Sequence, residues 1–339
     1  MILVTGGSGL LGGYLIADQL RRGYQVRGVK RKSSNLQFVN RYLDHAFGKE
    51  VDQVKKRLEW VDADLGDIFS LIDILEGVDV VYHSAAMVGF NTVDQEQLYQ
   101  VNVNGTQNLV NAMLLQYKSP ILCHISSTAA VGSSDAGEVD ETCLFSTDEP
   151  HSYYGYTKHL AELEVERARQ EGLKVCILNP SVILGYTNPK TSSGQLFTKA
   201  LNSFPFYTSG SNGVVYAKDV ARAANHLVEN ELFEGRYLCV GGHLSFRDLQ
   251  SKIARSFSKK GPTIQVPNFL MKTVGRIGDF TARLGLRTGM SQEIARSSIN
   301  EVKFSSERLI NSGNFEFSTV HEALTEIAHL YLETPNKRG

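Results

Sequence analysis

"MILVTGGSGLLGGYLIADQL", residues 1–20, decides the fold. Residues 2–5 are apolar or β-branched and run straight into a glycine turn, and residues 10–22 repeat apolar side chains at helical spacing. A strand that ends in a glycine turn and opens a helix is the first half of a strand–helix–strand unit. The glycines stand at 6, 9 and 12. Gly6 permits the tight turn, Gly9 lets a pyrophosphate approach the backbone, and Gly12 lets the helix pack close to the strand. The helix start adds free amides and the positive end of its dipole. At this place in the chain, the stretch Gly6, Gly9, Leu10, Leu11, Gly12 reads as a dinucleotide cradle.

Outward from this unit, short β-rich runs alternate with helical patterns. Strands are expected at 2–5, 25–30, 58–61, 78–83, 121–126, 174–178 and 236–240, and helices at 10–22, 94–117, 153–171 and 219–230. "VDVVYH" and "KVCIL" are apolar almost throughout, as strands covered on both faces are. The fold class is therefore α/β, a doubly wound parallel sheet with right-handed crossovers. From about residue 244 the chain turns helical and mixed, with glycine breaks in "GRIGDFTARLGLRTGM". Residues 1–180 plus about 214–242 are expected to form the dinucleotide-binding domain, and about 181–213 plus 243–339 a smaller substrate lobe.

Bulk properties exclude several classes. The 35 basic and 36 acidic residues of the 339 leave a net charge of −1, so neither nucleic acid nor a membrane is expected as the main partner. No apolar run approaches the roughly 18 residues of a membrane span. The chain starts directly on a strand, with no signal peptide before it, so a cytoplasmic location is expected. Cys123, Cys143, Cys176 and Cys239 form no C-x-x-C and read as reduced thiols. The nine histidines show no H-x-H or H-x-x-x-H pair, so no metal site is expected.

The second strand ends in "RGVKRKSSN", with no acid between Asp18 and Asp44 to take a ribose 2′-hydroxyl. Lys30, Arg31 and Lys32 instead complement a 2′-phosphate, which favours NADP(H) over NAD(H). Asp64 and Leu65 follow the third strand, where the adenine would rest. Strand five ends in "HISSTAAVG" and presents Ser126, Ser127 and Thr128 where open α/β sheets carry ligands. Two Tyr-x-x-x-Lys pairs exist, Tyr154/Lys158 and Tyr186/Lys190. The first lies in a helical stretch that sets tyrosine and lysine on one face. The second holds Pro189 and follows Gly185, which argues against a helix there. A phenol of pKa about 10 is a poor proton donor or acceptor at neutral pH unless its surroundings favour phenolate. Tyr153 and Tyr156 read as packing or wall, and His83 as a backbone anchor.

Taken in order, "TGGSGLLG", "DADL", "HSAA", "VNVNGT", "SST", "YGYTK", "LNPSVILG" and "VYAKDV" make residues 1–240 resemble the extended short-chain dehydrogenase/reductases, within the epimerase/dehydratase superfamily. The resemblance implies Tyr154 as general acid/base, Lys158 as its pKa-lowering and ribose-binding partner, and Thr128 in the Ser/Thr role, with Asn102 in support. It implies further cofactor contacts from Ser84, Ala85, Ala86, Ser126, Pro180 and Val182, and substrate contacts from Val88, Thr128, Asn179 and Ser181. Ala129 and Ala130 stand where the dehydratases carry Asp-Glu, and "LNPSVILG" with "VRGVKR" is similar to dihydroflavonol and cinnamoyl-CoA reductases. The leading expectation is an NADP(H)-dependent reductase of a small carbonyl compound. Its alternatives are a nucleotide-sugar epimerase with tightly bound NAD, using Arg276, Arg283 and Arg287 on a diphosphate, and a non-catalytic dinucleotide sensor. The pocket would draw on 84–90, 132–134, 181–186 and the tail. A homodimer through helices 94–117 and 153–171 is expected.

Overall fold

Seven parallel strands build the central sheet of the computed structural model, which describes residues 1–89, 94–134, 137–149, 151–191, 193–283 and 291–333. They are β1 (Ile2–Thr5), β2 (Val26–Lys30), β3 (Leu58–Asp62), β4 (Val80–His83), β5 (Ile121–Ile125), β6 (Val175–Pro180) and, later in the chain, β10 (Arg236–Cys239). Their order is β10-β6-β5-β4-β1-β2-β3. The first crossovers build outward from β1 to β3, and the next starts again beside β1 at β4. That reversal leaves a crevice beyond the carboxyl ends of β1 and β4, where such sheets take ligands. Leu3, Leu122 and Leu178 are fully buried, as the unbroken apolar strands require.

The intervening β7 (Val182–Leu184), β8 (Phe206–Tyr207) and β9 (Ser211–Tyr216) precede β10, and β11 (Gly242–Ser245) and β12 (Ile264–Gln265) follow it. β11, β9 and β7 form a three-stranded sheet, while β12 and β8 pair alone. Sequence reading passed over these short strands because runs of two to six residues carry little periodicity. The apolar spacing also predicts one helix over 94–117. The structure divides it into Gln95–Tyr99, a π-helical turn Gln100–Asn104 and Gly105–Leu114. All four cysteines are free thiols, and Cys123 and Cys176, distant in sequence, are register partners on β5 and β6. Among the described residues, no helix is long and apolar enough to cross a membrane.

The last helix, Val320–Leu332, opens with a capping box between Thr319 and Glu322 and returns to the main core. Its Tyr331 hydroxyl donates to the Thr187 carbonyl at 2.9 Å, and Lys218 pairs with Glu326 at 2.5 Å. The segment before it is held by Asp219, a fully buried carboxylate in the helix Ala217–Glu229. Asp219 accepts from the Ser318 amide at 2.9 Å, the Ser318 hydroxyl at 2.8 Å and Arg222 at 2.8 Å. Removing the acceptor strands these donors, so Asp219→Ala is expected to cost about 3 kcal/mol. Urea denaturation checks this; a loss below about 1 kcal/mol would show that the tail is held by apolar packing alone.

Candidate active site

The crevice begins at Gly6, whose φ of +66° lies in the left-handed region that favours glycine. A Cβ there would meet the Cα and N of Ala85 at 2.8 Å, so the turns after β1 and β4 lie back to back. A Cβ on Gly12 would lie 2.1 Å from the Gly6 carbonyl oxygen. Gly9 caps the helix Leu10–Arg21 without a side-chain acceptor, which leaves first-turn amides to a ligand. The closely folded, uncapped turn leaves room and free amides of the kind a pyrophosphate takes. Ser84 donates to the Thr5 carbonyl at 2.7 Å, and the Ala85 amide donates to the Thr5 hydroxyl at 3.2 Å. Leu11 packs in the core and Leu10 lies partly buried against it.

At the end of β2, Lys30 is paired with Asp62 at 2.5 Å, while Arg31 and Lys32 are exposed. The basic trio thus divides into one neutralised lysine and two available cations. Ser34 accepts from the Arg31 amide at 3.0 Å and from the Ser8 hydroxyl at 3.2 Å, tying this turn to the glycine loop. Neither serine was singled out in sequence, since a hydroxyl in a loop carries no spacing signal. Asp64 folds onto the Gly66 amide at 2.9 Å, and the Leu65 carbonyl accepts from Asn108 at 2.8 Å.

His83 is buried between two threonine hydroxyls, 2.7 Å from that of Thr5 and 3.0 Å from that of Thr106. Thr106 donates its proton to the Asn102 carbonyl at 2.6 Å, so His83 Nε2–H donates to Thr106 and Nδ1 accepts from Thr5. Burial, and then the Lys158 charge, push this imidazole down to about 3, which keeps it neutral. Asn102 spends its side chain on Met87, at 2.8 Å to the amide and 3.0 Å to the carbonyl, and on Thr157 at 3.0 Å. It clasps the loop after β4 to the helix Tyr153–Gln170. Val88 is half-exposed beyond that clasp, and Ala86 lies in the same loop.

The helix Tyr153–Gln170 starts at Ser152, whose hydroxyl caps the Gly155 amide at 2.8 Å. A Cβ on Gly155 would meet the Ala129 carbonyl at 2.4 Å, so the helix lies hard against the turn after β5. Tyr154 and Lys158 share one face. Burial raises the Tyr154 phenol above its ordinary value, and a hydrogen bond with Ser127 works against that rise. Ser127 accepts from the Ala129 amide at 3.1 Å, which leaves its own proton for the phenol oxygen. Ser127 is thus one hydroxyl found against Tyr154; Thr128 is buried and opens the short turn Thr128–Ala130. Three consecutive hydroxyl residues at a strand end hide which one faces the helix. Tyr186, the alternative tyrosine, is buried in the core outside any helix, with Lys190 exposed.

Lys158 is almost fully buried and donates to the Ile125 carbonyl at 2.9 Å, with His124 Nε2 at 3.4 Å. Burial pushes its ammonium down to about 8, against the attraction of Glu162. Glu162 is buried, 3.2 Å from Arg236, and accepts from Asn179 at 2.6 Å. Asn179 also donates to the Ser127 carbonyl at 2.9 Å. Asn179 is fully buried, so it braces Ser127 from behind instead of lining the cleft for substrate. Ser126, Pro180 and Ser181 are buried beside it, and Val182 is partly exposed.

A model of the NAD-dependent epimerase/dehydratase family matches residues 2–241. The chain belongs to that family. It is 28% identical over 337 residues to cinnamoyl-CoA reductase 1 of Petunia hybrida, covering 96% of this chain and 90% of the relative. It is 28% identical over 280 residues to sterol demethylase protein B of Methylococcus capsulatus, covering 82% and 80%. The fold is similar to that of UDP-glucuronic acid 4-epimerase from Bacillus cereus in complex with NAD, with a TM-score of 0.74 at 18% identity over 97% and 95% of the chains. Family membership makes this an extended short-chain dehydrogenase/reductase and supports an enzyme.

Glu293, in the helix Gln292–Ser297, touches the start of the Tyr154 helix through the Tyr153 amide and Ser152. Burial pushes its carboxyl up to about 7. A carboxyl with a raised folded value holds its proton after the unfolded chain has lost it, so stability falls between about pH 4.5 and 7. Glu293→Gln is expected to flatten that fall. Thermal melting of both proteins from pH 5 to 7.5 checks it, and parallel curves would contradict it.

Proposed function

We propose that the protein is an NADP(H)-dependent carbonyl reductase, running as an alcohol dehydrogenase in reverse, with Tyr154 as general acid/base. The observation that carries the reading is the Ser127–Tyr154 hydrogen bond one helical turn from the buried Lys158. Nicotinamide, when bound, supplies or takes the hydride. Gly6, Gly9 and Gly12 hold the pyrophosphate, Arg31 and Lys32 the 2′-phosphate, and Lys158 the ribose. In reduction, the Tyr154 phenol donates its proton to the substrate oxygen, and the hydroxyls of Ser127 and Thr128 steady that oxygen as charge develops. Burial raises the phenol pKa and Ser127 opposes that rise, so the lowering that proton transfer near neutral pH requires comes from Lys158 and the bound cofactor. The Lys158 ammonium offsets the charge left on the phenolate. Asn102 and Asn179 act as positioning residues.

The cleft would lie between residues 1–180 plus about 214–242 and a lobe of about 181–213 plus 243–339. Phe90 and Arg287, expected near the pocket, lie outside the described residues, as does the side chain of Arg283. The near-full-length similarity to a cinnamoyl-CoA reductase, and the similarity to a sterol-related protein, support an apolar or aromatic carbonyl substrate. A homodimer and a cytoplasmic location complete the reading.

Tyr154→Phe is expected to lower NADPH-dependent turnover at least about 100-fold while leaving cofactor affinity within about twofold. Wild-type reduction should decline above about pH 8 as Lys158 loses its proton. A screen of NADPH oxidation over aldehydes, ketones and nucleotide sugars tests the class. NAD retained through purification, with no NADPH turnover, would favour the epimerase instead, and cofactor binding without either activity a sensor.

A further inference from the structure

The helix Asn268–Arg283 is apolar on two sides. Met271, Gly275 and Gly278 face inward, with Gly275 so close to the helix Gln292–Ser297 that a Cβ would lie 2.8 Å from that of Ala295. The other side is open. Phe269 is 73% exposed, Ile277 56% and Phe280 63%, with Leu270 and Val274 exposed beside them. At 100° per residue these five side chains fall within one arc of about 140°, which they share with Thr273 and Thr281. Lys272 and Arg276, both exposed, line one border of it.

The patch continues onto the neighbouring pair of strands. Phe204, Phe206 and Ile264 are each at least 40% exposed, and Ile264 is the register partner of Phe206. Ser209 donates to Asn268 at 2.8 Å and fastens the end of β8 to the start of the helix. Eight large exposed apolar side chains in one neighbourhood are the kind of surface that marks an interaction site.

Charge identifies the occupant. Between Asp248 and Asp279 the sequence holds Lys252, Arg255, Lys259, Lys260, Lys272 and Arg276 and no further acid, so the helix Asn268–Arg283 carries one aspartate, Asp279, beside its cations. All six are exposed. Residues 187–213, which include β8, carry Lys190 and Lys199, again without an acid. The balanced charge of the whole chain conceals this segregation. A second copy of the same surface would bring like charges together, whereas an anionic bilayer answers both the cations and the apolar stripe.

We propose that this face docks the protein peripherally on an anionic lipid bilayer, with Phe269, Ile277 and Phe280 seated in the headgroup–acyl boundary and Lys272 and Arg276 on the acidic headgroups. The inference is independent of the reaction proposed above.

Co-sedimentation of the full chain with vesicles tests it. Binding is expected to phosphatidylcholine vesicles containing about a third phosphatidylserine, to weaken at high salt, and to be far weaker on pure phosphatidylcholine. Phe269→Ser with Phe280→Ser should abolish sedimentation. Lys272→Glu with Arg276→Glu should weaken it by more than about 20-fold, at roughly fivefold for each charge lost and more for reversal. All these positions are exposed, and an unchanged melting temperature shows that the variants fold. No binding by the wild type, or binding indifferent to both pairs of changes, overturns the proposal. So does light scattering that finds a dimer turned monomeric by the phenylalanine changes, which would assign the face to a second copy.

Discussion

Everything in the site depends on the close approach of the turn after β1 to the turn after β4. Gly6 has no room for a side chain because Ala85 is there, and Gly12 has none because the Gly6 carbonyl is there. This contact exists because the sheet reverses its order between those strands. It gives the first helix an open end facing the crevice. It also gives the loop after β4 a fixed edge, from which Ser84 and Ala85 bond back to Thr5.

A chain of buried polar groups carries that geometry to the Tyr154 helix. Thr5 holds His83, His83 holds Thr106, and Thr106 holds the Asn102 backbone, whose side chain clasps Met87 and Thr157. On the far side, Glu162 and Asn179 brace Ser127, and Lys158 lies against Ile125 and His124. The His83 and Asn102 side chains are satisfied and specify one arrangement, whereas Asn179 Oδ1, Glu162 Oε2 and His124 Nδ1 accept or donate no hydrogen bond among the described residues. The cost is visible at Lys158, whose ammonium is pushed down to about 8 by the burial that positions it.

The sheet and the glycine turn were legible because their signals are local. Apolar runs name buried strands, and Gly6, Gly9 and Gly12 follow β1 at a spacing only a tight turn requires. The helical setting of Tyr154 and the non-helical one of Tyr186 were legible too, because Pro189 and Gly185 disfavour a helix at the second pair. Other features depend on contacts between distant residues. Lys30 looked available until Asp62, thirty-two residues on, was found against it. Asn102 and Asn179 looked like groups for chemistry, yet both are turned inward as clamps. Ser127 beside Tyr154, Glu293 at the start of the Tyr154 helix and the apolar face of the helix Asn268–Arg283 have no sequence-local signature beyond composition.

A dinucleotide held in the crevice between β1 and β4 would lie against a turn that tolerates no side chain. Fluorescence titration of the wild type and Gly12→Ala with NADPH and NADH tests it most directly. Saturable binding by the wild type is expected, tighter for NADPH, with a loss of at least about 100-fold on adding one methyl group, which would have to displace the Gly6 carbonyl from 2.1 Å. Equal binding by a folded Gly12→Ala protein, or none by the wild type, would contradict it.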